Sequence, residues 1–104
     1  MRRAAKVDAN QGVIVDALRK AGAFVEPMHA VGSGFPDLCV GYRGETHLLE
    51  VKDGRKPPSA RGLTDMQIRW HALWRGRPVQ IVNDVNEALA AIGATPPAFE
   101  GVPK

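Results

Sequence analysis

The stretch from Gly34 to Lys52, Gly-Phe-Pro-Asp-Leu-Cys-Val-Gly-Tyr-Arg-Gly-Glu-Thr-His-Leu-Leu-Glu-Val-Lys, limits the folds open to this chain more than any other. Leu38, Val40 and Tyr42 alternate with Asp37, Cys39 and Gly41, and Leu48, Glu50 and Lys52 alternate with His47, Leu49 and Val51. A period of two is the mark of β-strands, and Arg43-Gly44-Glu45 between the two runs supplies a glycine-centred hairpin loop. With the turn at Gly44, Asp37 lies seven residues before it and Val51 seven after, so Asp37 faces the strand end that carries Glu50 and Lys52. The side chains flanking Val51 leave the strand on one face. Cross-strand neighbours sit about 5 Å apart, which lets Asp37 share a small ion with Glu50 while Lys52 reaches alongside. Two hard carboxylate oxygens suit Mg²⁺ or Mn²⁺. The bland alternative is a surface ion pair in which Lys52 bridges both carboxylates and no metal binds.

The elements on either side follow from capping and periodicity. Asp8 with Gln11 three residues later matches a capping box. Val13, Ile14, Ala17, Leu18 and Ala21 keep helical spacing, and Gly22 is the stop, which predicts a helix over Ala9 to Ala21. Ala23 to His29 is expected to be a strand that Pro27 confines to an edge or a bulge. His29 has two readings, a structural histidine or a DNA contact. Gly32-Ser33-Gly34 is a flexible turn that either reverses the chain or lets its backbone approach a phosphate. After Lys52, Asp53 to Gly62 is rich in proline, glycine and cations, and is expected to lack regular structure and to project from the same strand end. Thr64 with Gln67 repeats the cap pattern, and Met66, Trp70, Leu73 and Trp74 form one apolar stripe ending at Gly76, expected to be core or a dimer interface. Pro78 to Val82 is a short strand expected to be covered by helices. Asp84 and Glu87 open a last helix carrying Val85, Leu89 and Ile92, which Gly93 ends. The order αβββαβα predicts a mixed sheet flanked by helices.

At 104 residues the chain fits one domain. No apolar run approaches the ~20 residues of a membrane span, and no membrane partner is expected. A cytoplasmic location is the expectation. Cys39 is the only cysteine, which excludes an intramolecular disulfide or a multi-cysteine zinc site, and its place within a strand predicts a small buried hydrophobe. The net charge of +3 suits a polyanionic partner, and the cations cluster: Arg2, Arg3 and Lys6 in an N-terminal arm, Arg55, Lys56 and Arg61 in one loop, Arg75 and Arg77 around Gly76. Solvated charge is the plain reading of any one cluster. Three of them in a chain that also gathers Asp37, Glu50 and Lys52 point to phosphate contacts.

Pro36-Asp37 followed by Glu50-Val51-Lys52 resembles the motif of the PD-(D/E)XK nuclease superfamily. Together with Leu63-Thr64-Asp65-Met66-Gln67, it is most similar to the small VRR-NUC and Holliday-junction-resolvase-like branch of phages and bacteria. The similarity runs from Asp8 to Ile92. It implies an α/β fold, a single restriction-endonuclease-like domain over 8–93, with a basic arm over 1–7 before it and a proline-containing tail over 94–104 after it. It implies a Mg²⁺-dependent DNA endonuclease, with branched DNA as one substrate class the branch suggests and with Mn²⁺ able to substitute. Asp37 and Glu50 would hold the metal with the Val51 carbonyl as a further ligand, and Lys52 would act as an electrostatic stabiliser or a general base. Gln67 fits a glutamine of the branch's active-site signature. Arg55, Lys56, Arg61 and Ser33 are the expected DNA contacts. Where the superfamily often carries an acidic helix residue, this chain has the neutral Gln11, for which helix capping is the competing role. Two-fold pairing into a homodimer would suit symmetrical incision of a junction. The rival expectations are a DNA-binding module without catalysis and a subunit that joins a larger complex through Trp70 and Trp74.

Overall fold

Alternating side chains in the hairpin give the sheet two different faces, and the helices divide between them. The computed structural model describes residues 8–94, so the basic arm at 1–7 and the tail beyond Ala94 lie outside the described residues. The elements are α1 (Gln11–Lys20), β1 (Phe24–Pro27), β2 (Leu38–Tyr42), β3 (Glu45–Val51), a 3-10 turn at Pro58–Ala60, α2 (Asp65–Leu73), β4 (Gln80–Val82) and α3 (Val85–Ile92). The expected order αβββαβα is the observed one. The sheet runs β1-β2-β3-β4, antiparallel through the first three strands and parallel between β3 and β4. It is thus the mixed sheet the element order implies, with α2 in the crossover that a parallel pair requires.

One face of the sheet makes the core. Val25, Leu38, Val40, Leu49, Val51 and Val82 are buried there against Ile14 and Leu18 of α1 and Leu89 and Ile92 of α3. The helices α1 and α3 pack on each other, α1 also on β1, and α3 on β3 and β4. Fully burying one such aliphatic side chain contributes roughly 1.5–3 kcal/mol. On β3 both faces are enclosed, because Leu48 and Glu50, which alternate with the core positions, are buried as well.

The hairpin turn is tighter than a loop centred on Gly44. Tyr42 pairs with Glu45, leaving Arg43 and Gly44 as a two-residue loop in which both φ angles are positive (49° and 81°). Positive φ at both central residues is what a turn matching the right-handed strand twist demands. The shift of half a residue matters: the register pairs Leu38 with Leu49, and one further step sets Asp37 opposite Glu50 rather than opposite Val51.

Several boundaries differ from expectation. Helix α1 begins at Gln11, with Asn10 as N-cap and no side-chain cap bond, so the Asp8–Gln11 capping box does not form. Instead Gln11 is buried, and Asn10 donates its amide to the carbonyls of Lys52 (3.0 Å) and Asn83 (3.1 Å). Long-range ties to the ends of β3 and β4 thereby outcompete a local cap. Strand β1 is an edge strand that stops at Pro27, which lacks the N–H to continue. The basic loop contains the short 3-10 turn, where a wholly irregular segment was expected. Strand β4 is covered on one face only, Val82 being buried and Ile81 exposed. Cys39 is half-buried rather than buried, because it alternates away from the core. The cap of α3 is as read: the Asp84 side chain accepts from the Glu87 N–H, and Gly93 closes the helix with φ +82°. Among the described residues no helix is long and apolar enough to cross a membrane.

Asn10 ties three elements with one side chain, and its replacement by alanine removes a donor from the Lys52 carbonyl and leaves the Asn83 carbonyl with the Gly54 N–H alone of its two donors. Asn10→Ala is expected to lower unfolding stability by about 1–3 kcal/mol. Urea denaturation of the two proteins measures this.

Candidate active site

The site is assembled where β2 begins and β3 ends. Asp37 stands just before β2, pinned at both its backbone and its side chain. Its carbonyl accepts from the Met28 N–H (2.7 Å), and its Oδ2 accepts from the Val51 N–H (2.8 Å). A carboxylate held by a backbone donor in a buried setting is fixed in direction. The side chain therefore binds the very strand end that the hairpin brings opposite it.

Glu50 is fully buried, which is rare for a carboxyl group. Helix α2 satisfies it: Gln67 Nε2 donates to Oε2 (3.0 Å) and His71 Nε2 is 3.2 Å from Oε1. Burial, then a hydrogen bond to Asp37 and repulsion from its charge, push the Glu50 carboxyl up to about 9, against a partial opposing pull from Lys52. Two carboxyl groups this close in a low dielectric cannot both ionise without a cation. Burial and the neighbouring Lys52 in turn push the His71 imidazole down. The His71–Glu50 contact is a hydrogen bond in which the imidazole donates when its proton sits on Nε2.

Lys52 leaves the strand next to the pair, but its Nζ donates to Gln67 Oε1 (3.1 Å) rather than bridging the carboxylates. The same Gln67 oxygen accepts from the Thr64 N–H (2.9 Å), while Thr64 Oγ1 accepts from the Gln67 N–H (3.2 Å). Gln67 therefore fills both expected positions at once, completing the capping box of α2 and joining Lys52 to Glu50. Its three side-chain bonds also orient the amide, since only the carbonyl oxygen can face Lys52 and only the nitrogen can face Glu50.

Asp37, Val51, Lys52 and Gln67 line a cavity of about 500 Å³. Ser33, with φ of 57°, Lys56 and Asp8 line it too. The expected DNA contacts are placed unequally. Lys56 sits 3.9 Å from Asp8. Arg55 is turned back on buried Asp53 through two bonds of 3.1 Å, and these bonds hold the Asp53 carboxyl down at about 2. Its guanidinium fork is thus already matched to a carboxylate. Arg61 keeps a buried Nε with no partner among the described residues. Gln11 likewise has a buried, unpartnered Oε1. A larger cavity, about 720 Å³ between α1, Tyr42 and α3, is lined by Asp16 and Lys20 but by none of Asp37, Glu50 and Lys52.

The tryptophan stripe is not core. Met66, Leu73 and Trp74 are 56%, 61% and 41% exposed, and α2 buries no residue. The face of α2 that meets the sheet carries Gln67 and His71 instead, one turn apart, and the apolar stripe falls beside it. Trp70 meets Phe35 edge-on at 5.1 Å and stacks with Trp74 at 5.1 Å. The turn before Asp37 also lies hard against α2: a Cβ on Gly34, whose φ is +84°, would sit 2.3 Å from the Met66 carbonyl oxygen.

His71, Asn10 and Asp53 were not singled out from the sequence. The signal for His71 was there, since a residue four after Gln67 shares its helix face. Neither Asn10 nor Asp53 announces itself, because their partners lie in other elements or depend on the course of a loop.

No protein-family model matches the chain, and no curated protein matches it. Among solved structures it is similar to a VRR_NUC domain, with a TM-score of 0.56 and 27% identity over 78% of this chain and 91% of that one. The fold and the paired carboxylates define an α/β domain of the restriction-endonuclease-like, PD-(D/E)XK type. More narrowly, the chain has the VRR-NUC form of that nuclease fold.

A divalent cation is chemically suited to this donor set, because two crowded hard-oxygen carboxyls lack positive charge to the point that one is protonated. Among the described residues no group of three or more His, Cys, Asp and Glu side chains is arranged to hold a metal. The protein oxygens at hand are those of Asp37, Glu50 and the Val51 carbonyl.

Two outcomes follow from the geometry. The folded Glu50 pKa lies above its unfolded value, so its contribution to stability is fully present below about pH 4.5 and is lost as pH rises towards 9. Glu50→Gln, neutral at every pH, is expected to flatten that loss and to be more stable at pH 8 in EDTA, on the order of 3 kcal/mol. Thermal melts across pH 5 to 9 check it; parallel curves for both proteins would refute the burial effect. Gly34→Ala must displace the first turn of α2 and is expected to cost about 2–4 kcal/mol through overpacking and positive φ, measured by denaturant unfolding.

Proposed function

We propose that this protein is a metal-dependent endonuclease that hydrolyses DNA phosphodiester bonds, with branched DNA as its preferred substrate. A VRR_NUC-type fold implies a nuclease-type function. The single observation that carries the finer reading is the pairing of Asp37 with a fully buried Glu50, with Lys52 and Gln67 bonded beside them at a cavity. Ion pairs on a surface do not need such burial, and because burying carboxyl groups costs stability, their presence here points to a role other than stability.

Asp37, Glu50 and the Val51 carbonyl would hold Mg²⁺, for which Mn²⁺ could substitute. When bound, the ion would polarise a phosphoryl oxygen and acidify water. Lys52 is held by Gln67 with its ammonium at the cavity, where it would orient a water and offset negative charge developing on the phosphate. Lys56, Arg61 and the Ser33 turn would meet the backbone of the strand being cut; Arg55 would do so only by releasing Asp53. A second copy of the chain is the partner proposed for the exposed face of α2 that carries Met66 and Leu73 and continues to Trp74. Light scattering of the parent and of Leu73→Glu tests this, with a shift from dimer to monomer expected.

The decisive experiment incubates the protein with four-way, flap, nicked, linear and single-stranded DNA, with and without Mg²⁺. Cleavage in Mg²⁺ is expected, greatest on branched substrates. Asp37→Ala and Glu50→Ala are each expected to cut at less than about one hundredth of the parental rate, while fluorescence anisotropy finds DNA binding retained. Undiminished cutting by either variant would overturn the assignment. Tight DNA binding without cutting by the parent would make it a non-catalytic module.

A further inference from the structure

We propose that His71 is a positioning residue for Glu50, completing with Gln67 a two-point clamp through which α2 sets the direction of the buried carboxyl. This rests on the reading of Glu50 as a metal-holding residue and adds to it a side chain that the nuclease motif does not include.

The clamp is visible in the bonds. Gln67 Nε2 takes Oε2 at 3.0 Å, and His71 Nε2 takes Oε1 at 3.2 Å. A glutamate has three rotatable bonds, and a single contact would leave its carboxyl free to turn about the last of them. Two donors one helical turn apart, each on a different oxygen, remove that freedom. Each carboxyl oxygen has two lone-pair sites. The clamp occupies one on each oxygen from the α2 side, leaving the remaining acceptor capacity for the side where Asp37 lies.

Other contacts keep the clamp rigid. Gln67 is fixed by Lys52 and by the Thr64 N–H. The His71 ring lies edge-on to Trp70, 6.4 Å between centroids and 82° between planes, and Trp70 in turn lies edge-on to Phe35, two residues before Asp37. The helix that aims Glu50 is thus also packed against the turn that delivers Asp37. Since α2 buries no side chain of its own, its placement relies on these contacts and on the close approach at Gly34.

Orientation of a liganding carboxyl by an outer hydrogen bond typically alters metal affinity by 10–100-fold. The test compares the full-length parent, His71→Ala and His71→Gln, whose amide nitrogen can reach the same oxygen. Mn²⁺ binding is measured by isothermal titration without DNA, alongside cleavage as a function of Mn²⁺ concentration and thermal melts in EDTA. His71→Ala is expected to weaken Mn²⁺ binding about 10-fold and to shift half-maximal cleavage to correspondingly higher Mn²⁺, with kcat recovering at saturation. His71→Gln is expected to restore affinity to within about threefold of the parent. DNA binding in EDTA should be the same for all three. Parental Mn²⁺ affinity in His71→Ala overturns the clamp, as does a loss in His71→Gln equal to that in His71→Ala. A parent that neither binds Mn²⁺ nor cuts DNA fails the metal-site reading itself and takes this inference with it.

Discussion

A carboxyl group buried beside another carboxyl is the constraint on which this structure turns. Glu50 occupies the penultimate position of β3, where the alternation of the strand turns it away from the aliphatic core and into a second enclosed space. Such a group is costly unless every acceptor is met and its charge is neutralised. Here Gln67 and His71 meet the acceptors, Asp37 accepts the proton that Glu50 carries, and protonation up to about pH 9 supplies the neutrality.

This requirement explains the character of α2. A helix laid on a sheet ordinarily turns an apolar stripe towards it, yet α2 presents Gln67 and His71 and leaves Met66, Ile68, Leu73 and Trp74 exposed. Its role is to supply hydrogen bonds to a polar space, whereas α1 and α3 bury the residues that make the core. Stability and site chemistry are thereby separated onto the two faces of one sheet. The strand β3 joins them, with Leu49 and Val51 facing the core and Glu50 the site.

The basic loop shows the same economy of charge. Asp53 is buried and draws Arg55 back onto itself, and Lys56 lies near Asp8 at the cavity. Cations that a sequence lists together as one phosphate-binding cluster are divided by the fold into those with a carboxylate partner and one, Arg61, with a donor still unmet among the described residues. Electrostatic attraction to a polyanion and the local stitching of the loop thus draw on the same side chains.

Residue order alone determined what depends on neighbours a few positions apart. The period of two through Leu38–Tyr42 and His47–Lys52 carried the hairpin, Thr64 with Gln67 carried the start of α2, and Asp84 with Gly93 carried both ends of α3, because each is set by local backbone geometry. The nearness of Asp37 to Glu50 was legible for the same reason, being fixed by a short turn. Tertiary structure decided whatever depends on partners distant in the chain. Asn10 makes no local cap bond and instead reaches carbonyls 42 and 73 residues away. The α2 stripe, apolar in composition, stayed outside because a buried carboxyl demanded donors on the facing side. His71 became part of the site only when packing carried it to within hydrogen-bonding distance of a strand 21 residues earlier.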